Sequence, residues 1–179
     1  KCYSEKNLSE SSRLLINELF GKYGIVILDA NDKKLKQKLI PIIKEDVVNQ
    51  NLHSIISART EELSDEFKSQ AFVRNINFFN ISEGKRERIT KKISEDEIEN
   101  NPEIFSPNVL IRPLYQELIL PNIAYIGGGA EISYWMQLKT VFKYLSIPFP
   151  ILVLRNSVMW MEERDLKKWR KLGLKMSDV

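Results

Sequence analysis

Residues 123–154, "IAYIGGGAEISYWMQLKTVFKYLSIPFPILVL", decide the fold class. A short apolar run enters three consecutive glycines and leaves them as an amphipathic pattern that continues to Leu145. A second apolar run, "FPILVLRNSVMWM" (149–161), follows it. Short apolar runs bounded by Gly and Pro suit buried strands, and a 3.6-residue period suits a helix between them. Ile132, Trp135, Leu138, Phe142 and Leu145 form the stripe expected to face the core of a helix spanning Ala130 to Leu145. Strand, helix, strand predicts a parallel, layered α/β sheet.

The same alternation extends upstream. "LSESSRLLINELF" (8–20) has helical spacing behind capping serines, and "GIVILDAND" (24–32) reads as a short buried strand ending in a turn. Asp32 is a natural N-cap for the next helix, and Asp29 lies beyond the strand's carboxyl end, where open α/β sheets place ligands. From Lys33 to about Ser57 a long amphipathic pattern runs on, bent or split by Pro41. "TEEL" resembles a capping box and predicts a further helix from Thr60 to Val73. "INFFNISEGKRERITKKI" (76–93) predicts two strands joined at Ser-Glu-Gly, and "SEDEIENNPEIF" (94–105) a short helix stopped by Asn-Asn-Pro. "SPNVLIRPLYQELILPN" (106–122) begins extended around Pro107, turns helical at Pro113 and ends at Pro121; residues 162–172 form a charged helix. The prediction is one α/β domain, a mostly parallel sheet with flanking helices and a β-hairpin insertion.

Composition excludes several classes. Of the 179 residues 43% are hydrophobic and 28% charged, which describes a folded globular chain. The net charge of +3 is mild, and the basic clusters at 84–92 and 166–175 sit beside acidic stretches that largely cancel them, so no nucleic acid is expected as partner. Apolar runs such as "GIVIL" are far too short to span a bilayer, so no membrane is expected either, and nothing resembles a secretory leader. The lone Cys2 has no internal disulfide partner, consistent with a cytoplasmic location. His53, the single histidine, has no companions for a metal site or a Ser-His-Asp triad. "KMSD" (175–178) matches a synthetase loop motif over four residues only, and is read as chance. With no initiator methionine and an end just after a helical pattern, the chain is expected to be a piece of a longer protein.

Chemistry concentrates around the glycines. A strand running through Gly127-Gly128-Gly129 into a helix suits an anion, because glycines remove Cβ obstruction and permit positive φ. The first helical N–H groups are unpaired, and the dipole favours negative charge. The spacing is neither a dinucleotide fingerprint nor a phosphate loop, and glycine-rich packing turns are common, so both readings stay open. Glu131 and Tyr134 share a face near the turn, with Gln137 one turn further in; Glu131 either meets a ligand or complements the helix dipole. Arg112 and Arg155 sit in apolar sequence and need an anionic partner, an ion pair or a ligand, and Asn108 and Gln116 add hydrogen-bonding capacity beside Arg112.

Residues 106–158 carry S-P-N-V-x-x-R-P-x-x-Q-(D/E), then L-P-x-x-A-(Y/F)-I, a glycine turn, E-(I/L)-x-Y-W-x-Q-L, and an Arg-x-Ser after the last apolar run. In these motifs the chain resembles the bacillithiol biosynthesis cysteine-adding enzymes; "LFGKYGIVILDAND" and "INFFNISEGKRERI" also match. The resemblance implies a Rossmann-like core, here part of one (residues 1–179), from a larger cytoplasmic enzyme. The N-terminal part of that enzyme and its C-terminal coiled coil, through which family members are expected to homodimerise, are then absent. The implied activity is a carbon–nitrogen ligase that joins cysteine to glucosaminyl-malate. ATP is the implied cosubstrate, activating the cysteine carboxylate as an adenylate or acyl phosphate, and no metal is implied. By family position the site residues are Asn108, Arg112, Gln116, Gly127, Gly128, Gly129, Glu131, Tyr134, Gln137 and Arg155. The family's Gly-Pro-Gly is Gly-Gly-Gly here; the missing proline, placed at 128, is expected to loosen the turn. The alternative is a binding module that keeps the fold without catalysis, and the fragment alone is expected to be inactive.

Overall fold

The computed structural model describes residues 7–175; Cys2 and residues 176–178 of the "KMSD" stretch lie outside them. Phe78–Ser82 (β1) and Lys85–Arg88 (β2) form the predicted hairpin, with Ser82 opposite Lys85. Glu83 and Gly84 both take positive φ, 50° and 75°, the twist that a two-residue hairpin turn requires. Phe105–Pro107 (β3) pairs antiparallel on the other edge of β1, making the sheet order β2-β1-β3.

Leu8–Phe20 (α1) is capped by Asn7, whose side chain accepts from Glu10 N, and not by the expected serines, which lie inside the helix. Lys33–Gln37 (α2) is capped by Asp32, as expected, through Lys34 N and Leu35 N. Pro41 does split the long pattern: Ile40–Ile43 (α3) carries it in the first turn, a π-helical stretch Lys44–Val48 follows, and Gln50 breaks the helix with φ 55°. Asn51–Leu63 (α4) then runs straight through Thr60, where a new helix was expected. Thr60 Oγ donates to Ile56 O at 2.8 Å, and residues 64–75 carry neither helix nor strand. A capping residue acts only where the preceding chain is not already helical. The expected short helix forms at Glu95–Asn100 (α5), stopping before Asn101-Pro102, and is capped by Ser94, which accepts from Glu97 N.

The last third contains Arg112–Ile119 (α6), Ala124–Gly127 (β4), Gly129–Met136 (α7), Lys139–Tyr144 (α8), Ile151–Leu154 (β5) and Glu163–Lys171 (α9). β4 and β5 pair in parallel, Ala124 with Ile151 through Gly127 with Leu154. The α/β class holds. Among the described residues, though, the parallel part is this one pair and the three-stranded sheet is antiparallel. "GIVIL" is the strand that did not form: Ile25 to Leu28 join neither sheet, and Val26 is 61% exposed. β4 and β5 were expected to be buried and are covered on one face only. Tyr125 and Leu152 are partly buried, while Ile126 and Ile151 on the other face are 67% and 65% exposed.

The core lies between the helices and the antiparallel sheet. Leu39, Ile43, Leu52 and Ile56 meet Phe78, Phe105, Leu110, Ile111 and Leu114 there. Trp135, Leu138 and Phe142 of the predicted stripe are fully buried, although the helix itself breaks at Gln137. Tyr125 stacks on Trp135 at 4.1 Å between centroids, and Phe142 meets Phe149 edge-on at 5.0 Å. Offset and edge contacts of this kind fix the approach of a helix to a strand, and here they hold β4 against α7 and α8.

Candidate functional site

Gly127 ends β4 and Arg155 follows β5, so both stand at the carboxyl edge of the parallel pair, where open α/β sheets bind ligands. Arg155 N donates to Gly127 O at 2.9 Å and extends the ladder by one bond. None of the three glycines has positive φ. Gly127 and Gly128 serve close approach instead: a Cβ at 127 would meet the Tyr125 ring at 2.7 Å, and one at 128 would meet Arg155 Nε at 3.2 Å. Gly128 N donates to Glu131 Oε2 at 2.8 Å, so Glu131 forms half a capping box over the start of α7. Gly129 and Ala130 keep exposed first-turn N–H groups. The Arg155 guanidinium and these N–H groups supply positive potential beside one carboxylate already held.

Tyr134 stands half-buried behind the turn; burial and then the Glu131 charge raise its pKa, and Arg112 opposes them. Burial, followed by Tyr134 and Glu131, pushes Tyr125 up to about 12. Both phenols therefore remain protonated donors at neutral pH. Arg112, at the start of α6, lines a cavity of about 330 Å³ with Gln116 and Tyr115, and its charge reaches Tyr134. Gln116 Nε2 donates to Glu117 Oε1 at 3.0 Å.

Two of the ten candidates are used by the scaffold. Asn108 Oδ1 accepts from Leu110 N and Ile111 N, and its Nδ2 donates to Asn77 Oδ1, so it orders the entry into α6. Gln137 is buried and donates to Thr60 Oγ and Ser69 Oγ, both at 3.0 Å, tying the end of α7 to α4 and the segment after it. The remaining eight gather around the glycine turn and the cavity beside Arg112.

The family model described as "Bacillithiol biosynthesis BshC, N-terminal Rossmann-like domain" matches residues 1–156. The chain belongs to the BshC family. A Flavobacterium johnsoniae protein named "Putative cysteine ligase BshC" is 44% identical over 97% of this chain and 36% of its own length. Proteins of the same name from Flavobacterium psychrophilum and Staphylococcus haemolyticus are 42% and 30% identical, over 97% and 93% of this chain and 35% of their own lengths each. The chain thus spans about a third of the length of the curated relatives it matches.

Counted back from Glu131, the motif I-x-G-P-G-E puts its proline at 129 and its second glycine at Ala130, a correction both to the placement at 128 and to the match with Gly-Gly-Gly. The geometry agrees: Gly128 N is engaged by Glu131, whereas position 129 opens α7 and a Cβ there meets nothing within 4 Å. Proline is favoured at a first helical position, where its missing N–H is not needed.

Sequence reasoning missed Lys36, Arg86 and Ser106. Lys36 is 1% exposed, donates through Nζ to Phe105 O and lines the cavity beside Arg112. The sign was there: Lys36, Leu39, Ile40 and Ile43 follow the i, i+3, i+4, i+7 pattern, which puts the lysine on the buried face. Arg86 stacks on Phe79 at 3.7 Å and donates to Ser106 Oγ and Pro107 O, both at 3.0 Å. No local pattern in a β-hairpin shows that an arginine reaches across to a third strand.

Among the described residues, no helix is long and apolar enough to cross a membrane.

Proposed function

We propose that the protein carrying this chain is a cytoplasmic ligase that forms a carbon–nitrogen bond between cysteine and glucosaminyl-malate, with ATP activating the cysteine carboxylate. Membership of the BshC family supports the ligase class. The observation that carries the site is the meeting of Arg155 with the open first turn of α7 at the carboxyl edge of the parallel pair. Gly127, Gly128, Gly129, Glu131, Tyr134 and Arg155, with Arg112 and Gln116, form the binding surface in this reading; Asn108 and Gln137 position it. ATP would supply the leaving group that makes a carboxylate reactive toward an amine. The chain's own part is electrostatic: helix N–H groups and Arg155 hold negative charge in place, a preorganised arrangement that favours the charge developing during acyl transfer. The Glu131 carboxylate, fixed by Gly128 N, keeps a ligand's anionic group toward the Arg155 side. The 179 residues are proposed as one part of the enzyme's Rossmann-like core, inactive alone, with dimerisation through a coiled coil outside them.

The test is bacillithiol formation by the full-length protein supplied with ATP, cysteine and glucosaminyl-malate, followed by thiol labelling and chromatography. Arg155→Gln is expected to lower kcat/KM by about 10- to 100-fold, the cost of one charge-assisted hydrogen bond. A full-length protein that binds these ligands and forms no bacillithiol would leave the non-catalytic binding module as the answer.

A further inference from the structure

We infer that the cavity lined by Lys36 and Arg112, with Arg86 behind its Ser106–Pro107 wall, is a site for a small, multiply charged anion, a polyphosphate or a dicarboxylate. Three cations converge there. Lys36 and Arg112 line the cavity directly with Ser106, Pro107 and Gln116, and Arg86 holds Ser106 and Pro107 from outside. None of the three takes part in an ion pair among the described residues. Lys36 and Arg86 donate only to neutral acceptors: the Phe105 carbonyl, Ser106 Oγ and the Pro107 carbonyl.

The nearby carboxylates are committed elsewhere. Asp29 accepts from Ser9 Oγ and Asn31 N, Asp32 caps α2, and Glu117 is held by Asn122 and Gln116. Lys36 Nζ lies 5.7 Å from the centre of the Tyr115 ring, but a buried ammonium influenced by two guanidiniums is still unfavourable without a full counter-charge, and a structural lysine would ordinarily have one. Burial, then Arg112, then Arg86, brings Lys36 down to about 8, so it remains mostly charged at neutral pH. The volume of about 330 Å³ is at the lower end of small-ligand sites, and the spare N–H groups point at two or more anionic groups rather than one. The planar Arg112 guanidinium and the Lys36 point charge in one lining suit both phosphate and carboxylate.

The inference shares Arg112 and Gln116 with the ligase reading but does not need catalysis. Calorimetric titration of the full-length protein with inorganic pyrophosphate in one arm and succinate in the other separates the two sources. At least one should bind, and Lys36→Met should weaken it by about tenfold or more, the loss of a hydrogen bond to a charged group, while Arg86→Gln should weaken it by about threefold or more, through the lost nearby charge and the loosened Ser106–Pro107 wall. Lys34→Gln, which removes one exposed charge from the same helix, should change affinity by less than about twofold. Methionine is close in shape to lysine, and Arg86 is exposed at the surface, so circular dichroism should show both variants folded. Failure of both anions to bind at millimolar concentration overturns the inference, as does binding indifferent to Lys36→Met and Arg86→Gln. Bound anion without bacillithiol formation defeats the ligase reading alone.

Discussion

Asp46 is wholly buried, and its carboxylate accepts from Asn77 N and Nδ2. Burial pushes its pKa up to about 6, against the lowering effect of those two hydrogen bonds. The folded state therefore holds this proton more tightly than the unfolded chain. Its contribution to stability is fully present below about pH 4, is lost as pH rises through about 6, and is flat above, a loss of about 3 kcal/mol in order of magnitude. Carbon-13 NMR of the Asp46 carboxyl should show a midpoint near 6; an ordinary aspartate midpoint would remove the argument. At the glycine turn, Gly129→Pro should raise stability by about 0.5–1 kcal/mol, because it restricts the unfolded chain and sacrifices no bonded N–H. Gly128→Pro should lack that gain, since it removes the bond to Glu131. Chemical denaturation of the pair distinguishes the two positions.

The cap of α7 and its far end make opposite predictions for function. Glu131→Ala removes the carboxylate over the first turn and should cost about 1 kcal/mol, with Glu131→Gln recovering part of it as a neutral acceptor. Gln137→Ala strips Thr60 and Ser69 of a buried partner and should cost about 1–3 kcal/mol while leaving ligand affinity of the folded protein unchanged. Thermal unfolding measures both, and titration of the folded variants shows whether Gln137 only positions. Elements set by short-range chemistry were legible in advance. Glu83-Gly84 made the hairpin turn, Asp32 capped its helix, and Pro41 split the long pattern. The Thr60 cap was illegible, because its meaning depended on whether α4 had already started.

At the scale of the molecule, the uncovered face of β4 and β5 sets solution behaviour. Ile126, Ile151 and Val153 stand side by side on it, and an apolar patch of this kind drives association. Produced alone, the 179-residue chain should bind a hydrophobic dye and self-associate in sedimentation, and Ile126→Lys should reduce both without loss of helical signal. A monomeric, dye-silent chain would mean that this face is closed by some rearrangement. The sequence by itself determined most of the element types, the α/β class and, through a motif string longer than fifty residues, the BshC family. Those properties depend on neighbours a few positions apart along the chain. Only the tertiary structure decided that "GIVIL" lacks a ladder partner, that Asn108 and Gln137 bond inward, and that Lys36 and Arg112 line one cavity. Each of these is a contact between segments distant in sequence, and residue type alone carries no record of which segment arrives.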